Sequence, residues 1–174
     1  MKARTIMILA VIICSGWLIV KENGYQHSEL SYRSLSEDEI ESFMSELHLK
    51  PVTFANTQNN QSTIILIKGG YYLVSKAEES EGFTYVSTFA MPEQAPIDFG
   101  RVNGDHPFLY ITFLDETIRQ QTNRITVKVD GEEYWSTFLQ DEKGIIAFQD
   151  LKTPYEVVLY DDMGQITYTS GIVY

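Results

Sequence analysis

One cysteine, Cys14, is all the chain holds among its 174 residues, and it lies inside an apolar run. No internal disulfide is therefore available to the rest of the chain, which must hold its fold by core packing alone. A thiol nucleophile is excluded for the same reason, and so is a cysteine-based zinc site. Histidine is nearly as scarce, at His27, His48 and His106, with no His-x-x-x-His spacing, so no metal centre is expected. Basic residues are few as well: 13 Lys and Arg stand against 24 Asp and Glu, a net charge of −11. A surface of that sign repels a phosphate backbone, so nucleic acid is not an expected partner. Phosphate-cradling patterns are missing, since Gly69-Gly70 has no Gly-x-Gly-x-x-Gly or Gly-Lys-Ser/Thr around it. Nothing in the composition points to a cofactor.

What is present begins with the run itself. From position 5 to position 20 there is no charge, and Ile6, Met7, Ile8, Leu9, Val11, Ile12, Ile13, Leu18, Ile19 and Val20 make it strongly apolar. As a helix it would reach roughly 24 Å, against a hydrocarbon layer of roughly 30 Å. Local thinning and snorkelling of Arg4 and Lys21 can absorb that mismatch. Lys2 and Arg4 precede the run, while ten basic and twenty-three acidic residues lie beyond position 24. The positive-inside tendency then keeps the N-terminus cytoplasmic and exports the acidic bulk. The expectation is a single-pass cell-membrane protein with residues 5–20 as a transmembrane helix. A cleaved signal is the alternative, leaving a secreted domain, but cutting after Gly16 would expose Trp17-Leu18-Ile19-Val20. Lipidation of Cys14 is a third route, although Ile12-Ile13 precedes it where a lipobox wants a small residue.

The fold class expected is α+β, mainly β: the N-terminal transmembrane helix, one amphipathic helix with a β-meander, then an immunoglobulin-like β-sandwich. Residues 1–24 are assigned to the anchor and tether, 25–100 to the helix and meander, and 101–174 to the sandwich. Ser36-Glu37-Asp38-Glu39 forms a capping box, with Leu35 placed to staple onto Ile40. Ile40, Phe43, Met44 and Leu47 follow as an apolar stripe, and Pro51 is read as the helix stop. Residues 63–68 and 71–76 around Gly69-Gly70 read as a hairpin with both glycines at positive φ, and 83–89 as a third strand.

Met91-Pro92-Glu93-Gln94-Ala95-Pro96 and the stretch from Gly100 to Pro107 then break the pattern. Six short strands follow, at about 108–114, 124–129, 133–139, 145–148, 155–160 and 165–169, as in a sandwich. The Asp130-Gly131 turn leaves two registers open. A two-residue turn sets Val127 opposite Tyr134, and a bulged loop sets it opposite Trp135.

Tyr155-Glu156-Val157-Val158-Leu159-Tyr160-Asp161-Asp162-Met163-Gly164-Gln165-Ile166-Thr167-Tyr168 reads as a strand, a Tyr-Asp-x-x-Gly turn and a returning strand. It resembles the closing hairpin of small N-terminally anchored extracytoplasmic β-rich proteins of bacilli and related Gram-positive bacteria. The layout of basic start, short anchor and acidic domain is similar too. That resemblance implies a location and a fold class, and assigns no functional residue.

Candidate chemistry is thin. His27 lies in the tether and His48 at the helix end, where a cation suits the dipole. His106, beside Asp105 in a glycine-rich loop with Asn103, is the one place where a loop would present such groups to a ligand. Asn103, Asp105 and His106 are therefore the candidate binding residues. The acidic clusters at 78–81, 115–116, 132–133 and 161–162 lack a calcium-loop pattern and read as solvated surface. The aromatic residues read as cross-strand packing. The function expected is an envelope-facing binding or interaction module with a protein or peptide partner. Its rivals are a small envelope hydrolase using Asp105 and His106, and a structural spacer.

Overall fold

The polypeptide builds three antiparallel sheets and two short helices, as described by a computed structural model for residues 31–89 and 95–174. Residues 5–20, expected as the membrane anchor, lie outside the described residues. Among those described, no helix is long and apolar enough to cross a membrane.

The first sheet contains β1 (Tyr32–Arg33), β2 (Pro51–Asn56), β3 (Thr63–Ile67), β4 (Gly70–Ala77) and β5 (Phe83–Phe89), and α1 (Glu37–Glu46) packs on it. Strand β4 is its axis, pairing with β3 on one edge and β5 on the other, while β1 meets β4 at Tyr32↔Ala77 and Arg33↔Lys76. The capping box forms as expected: the Glu39 amide donates to Ser36 Oγ at 3.4 Å and the Ser36 amide to Glu39 Oε2 at 3.0 Å. The Glu39 carboxylate also receives a bidentate pair from Arg33 at 2.7 Å and the Lys76 ammonium at 2.8 Å. Those cations hold Glu39 well below the usual carboxylate range, and one side chain ties β1, α1 and β4 together.

Two local expectations are corrected. Pro51 does not end α1; the helix already stops at Glu46, and Pro51 opens β2. His48 takes φ 54° just past the Leu47 cap, with the His48 amide donating to Ser45 O at 3.2 Å and the Leu49 amide to Met44 O at 2.9 Å. That is a Schellman stop with histidine where glycine is usual. In the Gly69-Gly70 hairpin only Gly69 has positive φ, at 82°. Gly70 belongs to β4 and faces Ile67. It must be glycine because a Cβ there would overlap the Thr88 carbonyl oxygen of β5.

The second sheet, β6 (Ile97–Val102), β7 (Phe108–Phe113) and β10 (Gly144–Ala147), has β7 in its centre. All six residues of β7 are buried. Phe108 and Tyr110 join Ile64 and Leu66 of β3 in one cluster, whereas Leu109, Ile111 and Phe113 join the third sheet in another. On the far side of the first sheet, Ile65, Ile67, Tyr72 and Val74 pack against Leu35, Ile40, Phe43 and Met44. The molecule is thus layered as helix, sheet, sheet, sheet. The largely apolar runs of β3 and β7, broken only by the buried Thr63 and Thr112, follow from burial on both faces.

The third sheet has order β12-β11-β8-β9, with β8 (Arg124–Val129), β9 (Glu132–Phe138), β11 (Tyr155–Tyr160) and β12 (Ile166–Thr169). The helix α2 (Glu116–Gln121) enters it from β7. Both registers considered for Asp130-Gly131 occur in part. The turn is a two-residue one with positive φ at both residues, setting Lys128 opposite Glu133, and a bulge at Tyr134 then brings Trp135 opposite Val127. Strands β1, β2 and β6 and helix α2 were not anticipated. The division expected between residues 100 and 101 falls within β6, and residues Tyr32–Tyr174 group as one compact unit.

Replacing His48 with glycine relieves a left-handed residue that carries a Cβ, and is expected to raise stability by about 1 kcal/mol in equilibrium urea denaturation. Gly70→Ala is expected to lower it by about 1–3 kcal/mol, because the β5 backbone must move away.

Candidate functional site

A concavity forms where α2 feeds into β8. The Asn123 amide donates to Tyr160 O at 2.7 Å, and the Leu139 amide to Asn123 O at 2.7 Å, so this junction is held between the ends of β9 and β11. Asp115 caps α2, its Oδ1 accepting from the amides of Thr117 at 2.7 Å and Ile118 at 3.2 Å. At the far end, buried Thr122 turns its hydroxyl onto Ile118 O at 2.7 Å. A cleft of about 550 Å³ results, lined by Gln120, Gln121, Asn123, Gln140, Asp161 and Asp162 among others.

The Tyr-Asp-x-x-Gly turn forms one wall. Asp161 Oδ1 accepts from the amides of Met163 at 3.0 Å and Gln165 at 2.7 Å, while Gly164 takes φ 76°. One Asp161 oxygen is thus committed to the turn, and Asp162 is exposed beside it. Thr167 Oγ1, also at the cleft, is buried without a hydrogen-bond partner among the described residues. Among the described residues the lining contains two carboxylates, four carboxamides and no lysine or arginine. It suits a neutral or cationic ligand rich in hydrogen-bonding groups rather than an anion.

A second cavity of about 200 Å³ lies by the Asp130-Gly131 turn, with Lys128, Pro154, Tyr155, Ile172 and Tyr174 in its walls.

The residues singled out by sequence lie elsewhere. Asn103, Asp105 and His106 sit in the connection between β6 and β7, at the end of β7 remote from α2. Asn103 and Asp105 are exposed and His106 is half-buried. None of them lines either cavity. Of the cleft groups, Asp161 and Asp162 are read from sequence only as solvated surface and the carboxamides carry no signal at all, because their polarity is that of any turn or helix end and only the fold gathers them. Several acidic pairs have structural partners: Glu116 pairs with Arg119 at 2.7 Å and Glu133 accepts from Ser136 Oγ at 2.7 Å. Among the described residues no three His, Cys, Asp or Glu side chains converge as metal ligands.

One buried ionisable group was also missed. Asp98 in β6 is 4% exposed, and its Oδ2 has no partner among the described residues. Directly across the ladder stands Thr112, buried and with its hydroxyl unpartnered in the same sense. Burial pushes the Asp98 carboxyl above its ordinary value. Burial, and next the Asp98 charge, push the Tyr110 phenol upward too. A carboxyl that binds its proton more tightly when folded costs nothing below the ordinary carboxylate range; its penalty grows as pH rises through the folded value.

Asp98→Asn is therefore expected to stabilise the protein at neutral pH by about 1–3 kcal/mol, because an uncharged amide can donate toward Thr112. Denaturation midpoints measured against pH should show that gain shrinking as the pH falls toward the acid range. No protein-family model, no curated protein and no solved structure matches the chain.

Proposed function

We propose that this chain is a binding or interaction module of the bacterial cell envelope, held at the outer face of the cytoplasmic membrane by residues 5–20. Support for the location comes from the uncharged apolar run, the basic residues before it and the acidic excess after it. Signal cleavage would leave the folded part on the same side. The likeness to small anchored β-rich proteins of Gram-positive bacteria agrees with a β-rich body behind an apolar segment. The second and third sheets share one buried cluster, including Ile97, Leu109, Ile111, Ile125, Val127 and Val157, which favours an immunoglobulin-like sandwich.

The cleft between α2, β9 and the β11–β12 turn carries the functional reading. Its carboxamides offer donors and acceptors that match a peptide main chain, and Asp161 and Asp162 favour a basic side chain next to it. A protein or peptide segment of that chemistry is the partner proposed.

A photoreactive amino acid placed at Gln140 in the producing cell is expected to give a discrete adduct, weakened by Asp162→Asn. Adducts at Asn103 with none at Gln140 would move binding to the β6–β7 loop, and none at either position would count against the module. Protease added to intact cells is expected to digest the folded part, and full protection would overturn the location.

A further inference from the structure

Strand β5 is one edge of the first sheet, and among the described residues it pairs only with β4. Every residue after Phe83 in it is exposed, including Tyr85 at 47%, Val86 at 64% and Phe89 at 54%. Edges are normally guarded by charge, proline, a bulge or brevity, and this seven-residue strand has none of these. Its sequence, Phe83-Thr84-Tyr85-Val86-Ser87-Thr88-Phe89, also reads almost identically in both directions about Val86, the one exception being Tyr85 against Ser87.

We infer that β5 is a self-association edge, on which two copies of this chain pair antiparallel about a two-fold axis through Val86. An isologous contact must be complementary to itself. In this register Phe83 of one copy lies opposite Phe89 of the other, Thr84 opposite Thr88, and Val86 opposite Val86. Aromatic pairs and threonine pairs are among the favourable cross-strand neighbours. Phe83, Tyr85 and Phe89 share the sheet face on which Phe43 and Tyr72 already pack against them, edge-on except for the tilted Tyr72–Tyr85 pair, at centroid distances of 5.4–5.7 Å. Pairing continues that aromatic row across the axis.

Charge selects the same window. Each copy carries a net −11, and most of its surface would oppose a second copy. Residues 83–89 carry no charge, and the carboxylates of Glu78, Glu79 and Glu81 fall outside the paired segment. Seven residues a side are few beside the roughly 20–30 of a standard stable interface, so the contact is a weak one, strengthened by salt and by confinement.

Single cysteines in the full-length chain, in detergent micelles and with Cys14→Ser as background, test the register under mild oxidation. Val86→Cys is expected to form a disulfide-linked dimer, since directly opposed Cα atoms stand within disulfide reach. Two Thr84 positions are offset by four residues, about 13 Å along the strands, and cannot bridge. Thr84→Cys and Thr88→Cys should therefore remain monomeric alone and cross-link when mixed. A Val86→Cys chain that stays monomeric, or a Thr84→Cys chain that links to itself equally fast, would overturn the proposal. All three positions are exposed in the monomer, so folding is not at stake.

Discussion

Burial of β7 on both faces is the constraint from which the rest of the architecture follows. A strand reading Phe-Leu-Tyr-Ile-Thr-Phe can leave neither side to water, because each large apolar side chain exposed would cost about 1.5–3 kcal/mol. One face therefore takes β3 and the other takes β8 and β11. Every other element lies outside that centre. Helix α1 covers the outer side of the first sheet, and the outer strands carry the polar and half-exposed positions.

The same constraint explains why ionic interactions sit where they do. Glu39 is at the periphery, reached by Arg33 and Lys76, and there a charge can be held by hydrogen bonds without full desolvation. Asp98 is the reverse case. It is buried on β6, an edge strand of the second sheet, and across the ladder its carboxyl faces the unpartnered Thr112 hydroxyl instead of a cation. Both are carboxylic acids, yet their pKa values move in opposite directions, because cations hydrogen-bond to Glu39 whereas burial dominates at Asp98.

The two surfaces proposed for binding lie at the ends and edges of the layers, where loops and unpaired strands are carried by a packed scaffold. The cleft depends on three separate chain segments meeting at one end of the third sheet, and the β5 edge depends on a strand whose other side is held by β4. Both are surfaces produced by a well-packed interior, and neither needs that interior to move. A polar cleft and an apolar edge at different places on one module would let it hold a ligand and a second copy independently.

Much of this was legible in the chain itself. Short-range patterns sufficed for the capping box at Ser36 and Glu39, the buried strands β3 and β7, and the turns at Asp130-Gly131 and Asp161 to Gly164, because each rests on contacts within a few residues. Strand β6 was missed because Pro96, Asp98 and Gly100 are poor strand formers, and pairing with β7 overrides that preference. The helix stop was misplaced because a left-handed histidine has no sequence signature of its own. His106 drew attention by standing beside Asp105 in a glycine-rich loop, whereas Gln120, Asn123 and Gln140 carry no such signal until the fold brings them together with Asp162. Sequence by itself determined the local elements and the sign of the surface, since those depend on side chains and their immediate neighbours. Tertiary structure alone decided which charges are buried, which strands form edges and where a cleft opens, since those depend on residues distant along the chain competing for the same space.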